Sequence, residues 1–234
     1  MNALAKLTAV ETKLLLREPG SLVSVLIPLF ILVVFGSSID ATDTTLLPMS
    51  LAIAVGLVGL YLLPTTMASY RERGILRRLS TTPIRPGSLL AVQLVLQTAL
   101  VLIACGLLMG VASGVLGVRL PGGLLPTLGV FLLGTAAMFA IGLLIAALAP
   151  NGRAANGIGV LLYFPMAFLA GLIQPVDQMA ATVARIGEYT PLGAFRSALH
   201  QAWSGQAPDV LPLVLLAVYT LAVSALAARL FRWE

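Results

Sequence analysis

Charge is scarce in this sequence. Only ten per cent of the 234 residues are Asp, Glu, Lys or Arg and 59 per cent are hydrophobic, against roughly 25% charged for an ordinary soluble domain. A water-soluble fold of this length could not hide so much apolar surface. Reactive side chains are thin as well. With one cysteine, Cys105, and one histidine, His200, the chain cannot form an internal disulfide or the usual metal sites. It has neither a G-x-x-x-x-G-K-[ST] phosphate loop nor an H-E-x-x-H pair, so it is read as not itself an enzyme. No acid or base sits clearly inside an apolar run, where an ion-driven carrier would place one. That absence disfavours an ion-driven secondary carrier, or a membrane enzyme or assembly factor, and points to energy supplied by a partner.

What the sequence has instead is a succession of six apolar runs near 20 residues, the length a hydrocarbon layer of ~30 Å demands of a helix. They fall at about 21–39, 47–68, 88–110, 124–148, 156–174 and 210–230. None alternates over ~10 residues as a β-barrel strand would. The expected fold is therefore an all-α integral membrane protein forming a single transmembrane domain. Eleven of the fourteen Lys and Arg residues fall on the side that holds both termini in a six-span path: Lys6, Lys13, Arg17, Arg71, Arg73, Arg77, Arg78, Arg85, Arg153, Arg229 and Arg232. By the positive-inside rule both termini are cytoplasmic, in a plasma membrane, which in a bacterium is the inner one. The net charge of +5 thus reports orientation, and nucleic acid is not a partner. The first run is read as a retained span; a cleaved signal peptide would leave five spans and upset the charge bias.

Two stretches between the runs stand out. Over Glu72–Leu79 a helix would stack Ile75 on Leu79, and Arg73 on Arg77, before the turn at Thr82-Pro83. Such a loop could instead touch anionic lipid headgroups at ~1 kcal/mol per basic residue. The stretch 175–209 is too apolar for a free loop and too charged for a span. Phe195 with Leu199, and Arg196 with His200, separate into two faces, which fits a surface-lying or re-entrant helix closing an outer cavity. In residues 1–20, Lys6, Lys13 and Arg17 share one helical face and Leu4, Leu7, Leu14 and Leu15 another, interrupted by Glu11. That is the pattern of an interfacial helix.

At these stretches the chain resembles the permease subunits of export-type ABC transporters that move drugs, lipids and polysaccharides. Arg71-Glu72-Arg73-Gly74 with Leu76, Leu79 and Thr82-Pro83 looks like the family's cytoplasmic coupling helix, within a coupling loop at 70–87. Gly171 to Pro175, then Thr190-Pro191-Leu192 and Ala194 to Leu199, looks like its outer re-entrant motif. The resemblance implies an N-terminal elbow helix ahead of six spans, two permease subunits (homodimer or heterodimer) and two cytoplasmic ATPases that carry the ATP and Mg. It implies ATPase coupling through Arg71, Glu72, Arg73, Gly74, Ile75, Leu76 and Leu79, and an outer gate at Pro175, Pro191, Phe195, Arg196 and Leu199. Where the family commonly has Thr and an acid, this chain has Ile75 and Arg77.

Side chains inside the spans offer a candidate substrate path. Gln93 and Gln97 share a face of the third span and are read first as hydrogen-bonding groups between helices, second as cargo contacts. Tyr163, Phe164, Met166 and Phe168 form a bulky patch on the fifth that could line a cavity or face lipid. Gly106, Gly110 and Gly114 repeat at four-residue spacing, as do Gly152 and Asn156, and are expected to pack closely within the subunit. Aromatics are only six per cent of the chain, too few for the rings expected along a polysaccharide path. A lipid or hydrophobic drug is the expected cargo.

Overall fold

The computed structural model describes residues 3–36, 44–75, 86–118 and 121–230. Among them the regular structure is entirely helical. In chain order it runs α1 (Ala3–Arg17), α2 (Pro19–Gly36), α3 (Leu46–Leu57), a π-helical turn (Val58–Leu62) and α4 (Leu63–Glu72). There follow α5 (Pro86–Gly114), α6 (Leu124–Leu148), α7 (Gly152–Leu169), a short 3-10 turn (Val176–Gln178), α8 (Ala181–Tyr189), α9 (Pro191–Trp203) and α10 (Val210–Leu230). α3, the π turn and α4 form one continuous helix, Leu46–Glu72.

Five helices among the described residues are long and apolar enough to cross a membrane: Pro19–Gly36, Leu46–Glu72, Gly87–Gly114, Leu124–Leu148 and Val210–Leu230. The expectation of six met one helix short of that standard. α7 has 18 residues, and Arg153 and Asn156 in its first two turns lower its hydropathy. It also stops at Leu169, ahead of the expected 174, because Gly171 takes φ +76° and turns the chain out of the helix.

The Leu46–Glu72 helix is the centre of the bundle, 83% buried over its most apolar stretch, whereas α2, α5 and α10 bury 28% or less. Their exposed Leu26, Phe30, Val95, Ile103 and Leu221 are what a helix presents to hydrocarbon. Inside the central helix, Pro64 has no N–H to return to the Leu60 carbonyl, and the backbone widens into the π turn just before it. Glycines on both neighbours come in against that widened turn. A Cβ on Gly142 of α6 would sit 2.0 Å from the Gly59 carbonyl oxygen, and one on Gly159 of α7 2.0 Å from that of Leu60.

These contacts set direction as well as distance. Along α7, Gly152 meets Ser69, Gly159 meets Leu60 and Tyr163 meets Gly56, so α7 runs antiparallel to the central helix. Along α6, Met138 and Gly142 meet Gly59 while Ala147 meets Arg71, so α6 runs parallel to it. α10 packs along α6 on the far side. The expectation for Gly106, Gly110 and Gly114 is corrected: among the described residues nothing lies within 4 Å of a Cβ built on any of them, so no described helix packs on their small face.

Substitution at the π turn should therefore separate the two glycine sets. Gly142→Val and Gly159→Val should each destabilise by about 1–3 kcal/mol or more, the range for forcing volume into a packed core, while Gly106→Val stays near wild type. Thermal unfolding in detergent, followed by size-exclusion recovery, checks the ranking; equal losses at all three positions would refute it.

Candidate functional site

Two regions at opposite ends of the central helix hold the functional candidates. At its C-terminal end, α4 stops at Glu72, correcting the expected continuous helix over 72–79. The Arg73 N–H donates to the Ser69 carbonyl (3.0 Å) and the Gly74 N–H to that of Arg71 (2.9 Å), with Gly74 at φ +66°. Glycine is the residue that takes this left-handed stop without strain. Helical backbone resumes at Ile75, which is half-buried against the core. Leu76, Arg77, Leu79 and the Thr82-Pro83 turn lie outside the described residues.

The side chains just before this stop, Arg71 half-buried and Glu72 exposed, reach across to the turn between α6 and α7. The Arg71 guanidinium donates to the Ala147 carbonyl (3.3 Å) and to that of Ala149, at the carbonyl-rich end of α6. The Glu72 carboxylate accepts from the Gly152 N–H (3.1 Å) at the amide-rich start of α7. Asn151 caps the same start by accepting from the Ala154 N–H (2.8 Å).

α1 lies against this end of the central helix through a stripe of half-buried Leu7 and buried Glu11 and Leu15, one turn apart. Glu11, the residue that broke the expected apolar face, is only 5% exposed and accepts from the Tyr70 hydroxyl (2.6 Å) and from Gln93 Nε2. A Tyr70 to Gln93 contact at 3.3 Å closes the triangle between α1, α4 and α5. Leu14, expected on the same face, is instead exposed. A buried acceptor left unmet would cost ~1–3 kcal/mol, so the triangle accounts for an acid at that position. The pairing is not readable from the sequence, because its members are separated by 59 and 82 residues.

Beside the triangle, Glu18 closes the break between α1 and α2, and Thr66 donates to it at 3.4 Å. Burial pushes its carboxyl above the ordinary glutamate range, against the smaller opposing pull of the Thr66 hydrogen bond and Arg73. The folded state thus holds this proton more tightly than the unfolded chain, so its stabilising effect is complete at low pH and is lost as pH rises through the raised value.

Toward the N-terminal end of the central helix, Thr190 accepts from the Gly193 N–H (3.1 Å) as the cap of α9, with Pro191 in the first turn. α9 is buried along Pro191, Leu192, Phe195, Leu199 and Trp203. The Phe195 ring fills the space opposite Gly134, where a Cβ would meet it at 2.0 Å, and lies 6.3 Å from the Phe131 ring. At its far end the Ala202 carbonyl accepts from the Thr127 hydroxyl (3.3 Å) and the Trp203 carbonyl from the Gly122 N–H (3.4 Å). Both α9 ends are thereby tied down. Arg196 is half-buried beside Gly171, and Pro175 is exposed on the rim. Pro175 shares an apolar groove of about 320 Å³ with Ile31, Phe35, Leu46, Met49 and Leu172.

The candidate substrate-path residues divide. Gln93 and Gln97 are buried inside the subunit, 2% and 0% exposed, and Gln97 finds no hydrogen-bond partner among the described residues. Tyr163 turns inward onto Gly56, with its edge to the Phe164 ring (5.7 Å), while Phe164 and Phe168 are exposed.

Replacing Glu11 should show what the triangle contributes. Glu11→Ala should lower stability by about 1–3 kcal/mol, the cost of orphaning buried donors, and Glu11→Gln by less; limited proteolysis of the N-terminal helix in detergent reads the difference. Glu18→Gln should flatten the loss of stability above the ordinary glutamate range, followed as melting temperature against pH.

A comparison with curated proteins finds no match. A family model for the ABC-2 type transporter matches residues 3–202, which includes both ends of the site and all of the central helix. With a bundle of membrane-length helices, an N-terminal amphipathic helix and the buried helix α9 beneath that match, this multi-pass membrane protein belongs to the ABC-2 type transporter family, as a membrane permease subunit of an ABC transporter.

Proposed function

We propose that the chain is the membrane half of an ATP-driven exporter that moves a hydrophobic drug or lipid-like substrate out of the cytoplasm. Cytoplasmic ABC ATPase subunits bind the ATP and Mg, and a second permease subunit completes the assembly. The observation that carries this reading is a permease-family match over residues 3–202 in a chain with no phosphate loop of its own. The apolar character of the outer groove favours an apolar cargo.

A sixth crossing by α7 belongs to the same reading. α7 starts beside Glu72, and the chain just past its end reaches Leu172, which shares the outer groove with Leu46. Its 18 residues cover about 27 Å at ~1.5 Å per residue, close to the hydrocarbon thickness. Six crossings return both termini to one side, and the positive-inside rule makes that side cytoplasmic.

The segment from Ile75 onward is the coupling helix in this reading, with Ile75, Leu76 and Leu79 entering a groove on the ATPase. Burying two such aliphatic side chains is worth ~3–6 kcal/mol before association costs, against ~0–1 kcal/mol for exposed ion pairs. Ile75→Asp with Leu79→Asp should therefore abolish ATPase co-purification and export while leaving membrane insertion unchanged. Arg77→Glu should act mildly and in a salt-sensitive way. Normal ATPase retention by the double aspartate would defeat the assignment. For topology, cysteines at Thr44 and Thr81 in a Cys105→Ala background should label from opposite faces of intact cells, Thr44 from outside.

A further inference from the structure

Arg71 and Glu72 are adjacent in sequence yet hold opposite helix termini. At the end of α6 the carbonyls of Ala147 and Ala149 concentrate partial negative charge, and the Arg71 guanidinium donates to both. At the start of α7 the amides concentrate partial positive charge, and the Glu72 carboxylate accepts from Gly152. Each charge sits on the terminus whose dipole it complements. Steric contact reinforces the pair: a Cβ on Gly152 would lie 2.0 Å from Ser69 Oγ and 3.4 Å from the Thr65 carbonyl oxygen, so the α7 start is seated directly on α4. The α6–α7 turn is thus held by two side chains and one close backbone approach, all from the last turns before Gly74.

We infer that Arg71 and Glu72 are positioning residues that join the α6–α7 turn to the end of the central helix, and that they act inside the subunit and not by touching the ATPase. The inference rests on the exporter reading above. A displacement received beyond Gly74 reaches α4 first, and the clasp passes it to α6 and α7 as one body. The far end of α7 leads into the outer segment, and α6 carries Gly134, on which Phe195 of α9 rests. The inner contact and the outer helix are therefore linked by two rigid helices moving together. Arg73, exposed as Glu72 is, acts electrostatically on Glu18.

The test uses the full permease with its ATPase in proteoliposomes, comparing wild type with Arg71→Ala, Glu72→Ala and Glu72→Gln. ATPase retention, ATP hydrolysis and substrate transported per ATP are measured together. Both alanine variants should retain the ATPase and hydrolyse ATP within about twofold of wild type, while transport per ATP falls about tenfold, within the range substitutions along a coupling route produce. Glu72→Gln keeps an oxygen acceptor for the Gly152 N–H and should recover most of the transport. Loss of ATPase retention in the alanine variants would mean direct contact and overturn the inference, as would transport per ATP equal to wild type. Wild type that retains no ATPase would instead sink the exporter reading, and this inference with it.

Discussion

The fold depends on the close approach of three backbones around the π turn at Val58–Leu62. In hydrocarbon, helices gain little by hiding apolar surface from one another, and association rests on packing and on polar groups finding partners. A proline that withholds one hydrogen bond widens the central helix there, and two glycines let the neighbouring helices come in against the carbonyls of Gly59 and Leu60. Weak Cα–H donors on those helices then meet acceptors that the widened turn presents outward. Removing any one of the three features, the proline, the π turn or the paired glycines, would leave either a void or a clash at the centre of the bundle.

Side-chain hydrogen bonds between helices are few, and they fall where separate helices must be held in register. Glu11 binds α1 to α4 and α5, Arg71 and Glu72 bind α4 to α6 and α7, and Thr127 binds α6 to α9. Each joins elements at least 48 residues apart in the chain and lies near a helix end, where a charged group costs less than at the bilayer centre. Much of the middle of the bundle is glycine, alanine and leucine, with Ser50, Gln97 and Thr135 buried among them.

The helices were legible because hydropathy at a period of about twenty residues has one strong cause, the thickness of the bilayer. Runs 124–148 and 210–230 coincide with α6 and α10 for that reason. Where the sequence misled, a local signal stood in for a tertiary one. The glycine repeat on α5 looked like a packing face but meets nothing among the described residues, whereas Gly142 and Gly159, in no obvious repeat, come as close to a neighbouring backbone as any glycine here. Glu11 looked like a flaw in an amphipathic pattern because its partners lie on other helices. The hydrogen bonds of Arg71 and Glu72 across the α6–α7 turn are beyond a local reading for the same reason. The half-buried Arg196 and the fully buried Phe195 belong to one i, i+4 pattern that did separate inward from outward faces on α9, since there the helix packs on neighbours along its whole length.

The Glu11 triangle also bears on how the chain is assembled during synthesis. The acid is made first, but Tyr70 and Gln93, the groups that accept it into the bundle, follow 59 and 82 residues later. At ~5–20 residues per second the ribosome needs on the order of ten seconds to supply both. For that interval α1 has no protein surface on which to bury its carboxylate, and its leucines can rest only in the headgroup layer. Docking of α1 is therefore completed only after α5 has entered the membrane, well after α1 itself has been translated.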